Sequence, residues 1–517
     1  MPIEGGPLER FVALEDLLTA GLSLHPDADA VVSTQQRWTF RELEEASSRL
    51  CAGYRGLGLR PSDRIASLMP NRAVLLIHYL ACMKGGYVAV PLNYRYTHFE
   101  IQHALKKSET SFILFHDERR ADVDKALEDH SGVQPICYEA GGGADEPALE
   151  DLMTTQATVE VCPVEPPDAP AFLMFTSGST GPAKGVTHSR KSIAHCFASV
   201  AAGFEMDETD IFLPASSISH IGGLIFSFAV LSVGGRAVVA RDLTPDEVIT
   251  LLRDEKPTIL AILPAALFRL IRDGHATHDD FAALRVLRSG SDRVPIELVN
   301  EFFDLTGLVI DEGWGCSEIG LASLNPPSGR IIPGSAGRPL PGIAVSVRSA
   351  EGSELKPGQD GVVWVRCESR MLGYWQDDAS TQNVFREDWF DTGDVMRADN
   401  DGYLYFRGRK KQIIVHDGSN IFPKEVEDAL LDHADIAVAA AIGVRDLVHG
   451  EIICAYVVSL KDNAPSETEL IEFARERIGY KAPEEIRFLT DMPLNPTGKI
   501  DRVTLIKMAA EAHEMSA

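Results

Sequence analysis

The sequence predicts an α/β protein: a large N-terminal domain of α/β layers with mostly parallel sheets, followed by a small α+β C-terminal domain. Three observations carry this expectation. Strand-like and helix-like segments alternate along the first 130 residues, the pattern of a buried, largely parallel sheet. The length of 517 residues exceeds what one hydrophobic core usually supports. Near residue 409 the pattern changes to shorter elements.

Thr39-Phe40-Arg41-Glu42-Leu43 opens a helical stretch that ends near Gly56 and Gly58. Arg64–Met69 reads as a strand, Ala73–Lys84 as a helix and Tyr87–Leu92 as a strand again. The Gly-rich, acidic stretch Glu139–Glu146 reads as an exposed loop. Tyr403–Phe406 is strand-like and runs into the basic turn Arg407-Gly408-Arg409-Lys410-Lys411. Beyond it, Gln412–Val415 reads as a strand, and Pro423 opens a helix where a missing N–H costs least. Ala437–Ile442 and Ile452–Leu460 are strands, and Ser466-x-x-Glu469 is a capping-box pattern before the helix Leu470–Ile478. A domain boundary is expected at 409–411.

Composition narrows the function classes. With 45% hydrophobic and 24% charged residues the chain is of ordinary globular type. Its formal charge of 49 − 76 = −27 argues against a general nucleic-acid or anionic-membrane binder, which needs a basic footprint. A small anionic ligand in a locally positive site stays compatible with it. The start Met1-Pro2-Ile3-Glu4-Gly5-Gly6 shows no secretory pattern, and the longest uncharged apolar run, Ile221–Gly235, is too short to span a membrane. The eight cysteines are scattered without Cys-x-x-Cys spacing, which suggests free thiols in a reducing, cytoplasmic setting.

The most informative stretch is Phe172-Leu173-Met174-Phe175-Thr176-Ser177-Gly178-Ser179-Thr180-Gly181-Pro182-Ala183-Lys184-Gly185. An apolar strand feeds a run of hydroxyls and glycines, then a lysine. Glycines let backbone N–H groups turn toward an anion, and the hydroxyls and ammonium add donors and charge. This is the chemistry of a polyphosphate cradle. It has neither the Walker order nor the dinucleotide G-x-G-x-x-G spacing.

Thr176–Gly185 resembles the signature of the adenylate-forming superfamily, which includes acyl-CoA synthetases. The resemblance continues in order to within twenty residues of the C-terminus, and it implies roles for further residues. Ser219-His220-Ile221-Gly222-Gly223 is similar to the acyl-site motif, with His220 beside the substrate carboxylate. Ser217, Ser219, Gly222, Gly223 and Gly320 would line the acyl pocket, the three glycines leaving room for a medium-chain, aryl or polycyclic acid. Ser289-Gly290-Ser291-Asp292 and Asp311-Glu312-Gly313-Trp314-Gly315 resemble the two segments that enclose adenine. Trp314 stands where most relatives have Tyr; it either stacks on the base or fills core. Asp292 stands where a small residue is usual; its carboxylate either accepts from the adenine amine or faces water.

Ser317 and Glu318 match the hydroxyl–glutamate pair that follows, which makes Glu318 the implied magnesium ligand and a catalytic residue. Thr392-Gly393-Asp394 resembles the ribose motif, with Asp394 accepting from both hydroxyls and Arg409 adding a ribose or phosphate contact. The resemblance makes 1–408 an adenylation domain, 409–412 a hinge centred on Lys411, and 413–517 a mobile lid. Gly418 would line the channel for coenzyme A, and Lys499, in Asn495-Pro496-Thr497-Gly498-Lys499, would be the catalytic lysine. The implied activity is that of an acyl-CoA synthetase using ATP, Mg2+ and coenzyme A on a carboxylic acid. An enzyme delivering to a carrier-protein thiol and a non-catalytic nucleotide- or acyl-binding relative remain as alternatives. Many relatives are homodimers, and neither nucleic acid nor a membrane is an expected partner.

Overall fold

The computed structural model describes residues 2–128, 130, 132–139, 146–156, 165–176, 183–290, 294–416, 419–446, 449–460, 465–495 and 499–514. Among these residues the strands form sheets of nine, seven, six and five members. In the nine-stranded sheet the strands 310–316, 286–290, 259–262, 211–215, 236–239 and 29–33 run parallel in that order. Antiparallel strands 320–324, 338–339 and 37–39 close its edges. The seven-stranded sheet places 170–176, 88–91, 64–68, 112–116 and 134–138 in parallel, with 184–189 and 373–374 added antiparallel. The six-stranded sheet is antiparallel where its strands pair.

The helices form where the sequence dictates. Thr39 Oγ1 accepts from Glu42 N at 3.2 Å while the Glu42 carboxylate accepts from Thr39 N at 2.8 Å, so the helix Phe40–Gly56 starts on a reciprocal cap. The helix Ala73–Gly85 is buried along nearly its whole length and ends at Gly86, whose φ of +68° is cheap only for glycine. The apolar run after His220 forms the helix Ile221–Ser232, buried from Gly223 onward. A helix apolar on all sides needs partners on all sides. It finds them in one continuous core that also takes in the helix Arg190–Gly203 and strands from three of the sheets.

The C-terminal domain is α+β. Its sheet joins strands 414–416, 419–421, 436–446, 450–459 and 485–488. One face packs Ile414, Val426, Leu430, Ile453, Leu470 and Ile486; the other packs Ala440, Tyr456, Leu505 and Ala509. The strand expected at 412–415 begins two residues later, because Lys410–Gln412 close a 3-10 turn. Arg409 ends the last strand of the six-stranded sheet, and the next strand belongs to a different sheet. No helix among the described residues is long and apolar enough to cross a membrane.

Candidate active site

Parallel sheets leave ligand crevices outside the carboxyl ends of their strands. The loop after strand 211–215, the end of strand 286–290 and the turn after strand 170–176 are such places, and the expected site residues lie on them. Thr176 and Lys184 face each other across the antiparallel pair that brackets the hydroxyl–glycine loop. Ser177, Gly178, Ser179, Thr180, Gly181, Ser291, Asp292 and Gly418 lie outside the described residues. Lys184 Nζ donates to Ser380 Oγ at 2.9 Å and sits 4.6 Å from the centroid of the Tyr374 ring. Its ammonium is thus held at the base of the loop by its neighbours.

His220 caps the helix Ile221–Ser232, and its Nε2 lies 3.4 Å from the side-chain amide nitrogen of Asn93. Burial first, then the charges of Lys499 and Arg95, push its pKa down to about 4. The imidazole is therefore neutral throughout the physiological range. The backbone of Ser216–Ile218 is clamped by Asn71, whose amide donates to Ser216 O and Ala240 O and accepts from Ile218 N.

Asp394, the residue expected to accept from the ribose, is only 2% exposed. Trp314 Nε1 donates to its Oδ2 at 2.7 Å, and Arg409 Nε lies 3.0 Å from Oδ1. The Asp394–Arg409 pair is built into the sheet, because the two residues are register partners on adjacent strands. Burial raises the Asp394 pKa, while Arg409, Trp314 and Lys499 pull the other way. Lys499 pairs with Asn495: Asn495 N donates to Lys499 O, and Lys499 N donates to Asn495 Oδ1. Its positive charge is among the influences on the pKa of both Asp394 and His220.

Glu318 Oε1 accepts from the Tyr374 hydroxyl at 2.9 Å, and the Ser317 carbonyl accepts from the His188 ring at 2.7 Å. Lys184, Tyr374 and Glu318 thus form one contiguous polar row. Glu318 supplies one carboxylate, which suits a magnesium ion that takes its other ligands from phosphate oxygens and water.

The surroundings of the expected nucleotide residues differ. Trp314 is largely buried in the main core and donates its indole N–H to Asp394. Asp311 is fully buried, with Oδ1 accepting from Asn325 N and Nδ2. Glu312 Oε1 accepts from Gly334 N. The glycines expected to open the acyl pocket differ among themselves. A Cβ at Gly223 would lie 2.3 Å from Ser217 O; at Gly320, where φ is +73°, it would lie 2.9 Å from Cys196 Sγ. Both are glycine for close packing. At Gly222 the only neighbour is the Phe226 ring at 3.9 Å, so that glycine alone of the three leaves space. Gly290, Gly313 and Gly315 are close-approach positions too: a Cβ at Gly315 would lie 2.1 Å from Gly320 O.

Motif reading missed Asn93, Tyr374 and Arg288. Asn93 follows directly on a parallel strand, and Arg288 is a lone charge inside an apolar strand, signals that a search of strand ends would catch.

The chain belongs to the AMP-binding enzyme family, matched over residues 19–375, with the AMP-binding enzyme C-terminal domain matched over 425–499. It is an enzyme of the AMP-forming acid–CoA ligase type. Feruloyl-CoA synthase of Amycolatopsis sp is 31% identical over 487 residues, 92% of this chain and 95% of the relative. Sulfoacetate–CoA ligase of Cupriavidus necator is 30% identical, covering 97% and 99%. A fatty acid–[acyl-carrier-protein] ligase, ScoC of Streptomyces coeruleorubidus, is 29% identical, covering 92% of each. ATP-bound MatB from Rhodopseudomonas palustris superposes with a TM-score of 0.89 at 26% identity, over 96% of this chain and 99% of that one.

Proposed function

We propose that this chain joins a carboxylic acid to coenzyme A in two steps at one site. A carboxylate resists thiol attack because it is anionic and would have to expel oxide. In the first step its oxygen attacks the α-phosphorus of ATP, giving the acyl-adenylate and releasing pyrophosphate. Negative charge grows on the α-phosphate and the bridging oxygen, and Lys499 meets it as a preorganised cation. Asp394 accepts from the ribose diol, held in place by Trp314 and Arg409. The residues 176–184 take the β- and γ-phosphates. His220, neutral and steadied by Asn93, donates to an oxygen of the reacting carboxylate without adding charge. A magnesium ion at Glu318 would neutralise phosphate charge.

In the second step the coenzyme A thiol attacks the acyl carbon and AMP leaves. That step needs an entry path where Lys499 stood. The lid, 413–517, turns about 409–412 with Lys411 at the hinge, withdraws Lys499 and brings Gly418 to the channel. The observation that carries this reading is the buried Asp394 carboxylate, with Trp314 Nε1 donating to Oδ2 at 2.7 Å and Arg409 Nε 3.0 Å from Oδ1.

The acids in the relatives' names differ in size and charge, so likeness alone selects none of them. A screen of carboxylic acids for ATP-dependent pyrophosphate release, with and without coenzyme A, tests the reading. Pyrophosphate release with no acid in a broad panel would overturn it. The carrier-protein relative favours a second reading, delivery to a carrier thiol. Thioester formation on a carrier protein faster than on coenzyme A would select that one.

A further inference from the structure

Arg288 lies inside the apolar strand Val286–Gly290, only 8% exposed. A guanidinium carries five donors and no acceptor. Here Nη2 donates to Gly313 O at 3.2 Å, while the buried Nε has no hydrogen-bond partner among the described residues. The side chain runs toward the carboxyl end of its strand: a Cβ at Gly290 would lie 3.1 Å from Arg288 Nη2. Its guanidinium carbon is 5.7 Å from the centroid of the Phe226 ring. Phe226 is the ring that faces the open position at Gly222. Gly222, Phe226, Arg288, Gly290 and Gly313 are therefore linked by contacts from one to the next, joining a glycine expected at the acyl pocket to the segments expected to enclose adenine.

A buried guanidinium with unused donors is costly unless something else satisfies it. Burial lowers its pKa to about 10, against the opposing influence of Asp311 and Glu312. Asp311 Oδ1 accepts from Asn325 and Glu312 Oε1 from Gly334 N, while Asp311 Oδ2 is buried without a hydrogen-bond partner among the described residues. Neither makes a hydrogen bond to Arg288. A planar donor fork beside an aromatic ring suits an oxyanion that arrives edge-on.

We propose that Arg288 is a specificity-determining residue, which binds a second oxyanion, carboxylate or sulfonate, on the end of the substrate acid remote from the reacting carboxylate. This rests on the acid-activating reading above and narrows its substrate class. The alternative is that Arg288 only balances the charge of Asp311 and Glu312 within the sheet.

The test compares acids of matched length and ring content with and without a distal carboxylate or sulfonate, read as kcat/KM in ATP-dependent pyrophosphate release. The wild type is expected to favour the acids with a distal oxyanion by about 10²-fold, mostly through KM. Arg288→Met should collapse that ratio to within a few-fold, and Arg288→Lys, which keeps the charge but loses the fork, should fall between. Nucleotide affinity measured without acid reports whether each variant keeps its fold. A wild type that prefers the unsubstituted acids would overturn the proposal, as would a ratio left unchanged by Arg288→Met. Should Arg288→Met fail to fold, the wild-type ratio together with Arg288→Lys decides it. Activity on unsubstituted acids alone would leave the acid-activating reading standing while this inference falls; activity on no acid would remove both.

Discussion

Asp394 and Asp311 are both nearly sealed from solvent, both sit on strands, and burial pushes both pKa values up. Their partners separate them. Asp394 is met by an indole N–H, an arginine and the charge of a lysine from the C-terminal domain. Asp311 is met by the backbone and side-chain amide of Asn325, which fix the neighbouring strand. Burial and a raised pKa are thus common to both, and the hydrogen-bond and ion-pair partners are what distinguish them.

The sharpest way to break this contrast is to remove the C-terminal cation that only Asp394 feels. Lys499→Ala is expected to slow acyl-adenylate formation by roughly 10²–10³. Thioester formation from supplied acyl-adenylate should change far less, so equal losses in both half-reactions, followed by rapid quench, would contradict the account. Next in size, Asp394→Asn should raise KM for ATP by roughly 10–10²-fold, the scale of a hydrogen bond to a charged group. In the same steady-state assay Asp311→Asn should move KM for ATP by no more than about threefold.

Asp311 instead governs stability against pH. Burial raises its folded pKa from 3.8 to about 7, so the folded chain binds that proton more tightly than the unfolded one. The resulting contribution is complete below pH 3.8 and is lost as pH climbs through about 7. Asp311→Asn, which cannot ionise but still accepts from Asn325, should therefore gain on the wild type above neutrality by about 2–4 kcal/mol. Denaturant melts at about pH 5 and pH 8.5 would show the gap widening; a gap that narrows would refute the assignment. The smallest effect expected is from Tyr374→Phe, which removes the donor to Glu318. A loss of roughly 3–10-fold in kcat is expected, with KM for the acid little changed.

The fold was legible wherever one local rule decides. The helix opening at Thr39–Leu43, the helix read at Ala73–Lys84 and the basic turn at 409–411 lie within a residue or so of where the sequence puts them. The site was legible as motifs, and only partly as roles. Gly222, Gly223 and Gly320 look alike in sequence, yet two are glycine because another segment's atoms approach within 3 Å, which depends on tertiary neighbours. Trp314 carries both an aromatic face and an N–H, and only the fold shows that the N–H is claimed by Asp394. Asn93, Tyr374 and Arg288 act through partners 127, 56 and 25 residues away in the chain, distances no local pattern spans.

The account turns on where ATP sits when the C-terminal lysine is in place. A crystal structure with a non-hydrolysable ATP analogue tests this directly. It should show both ribose hydroxyls on the Asp394 carboxylate and Lys499 Nζ within hydrogen-bond distance of an α-phosphate oxygen. Nucleotide bound with its ribose away from Asp394, or with Lys499 turned out to solvent, would contradict it.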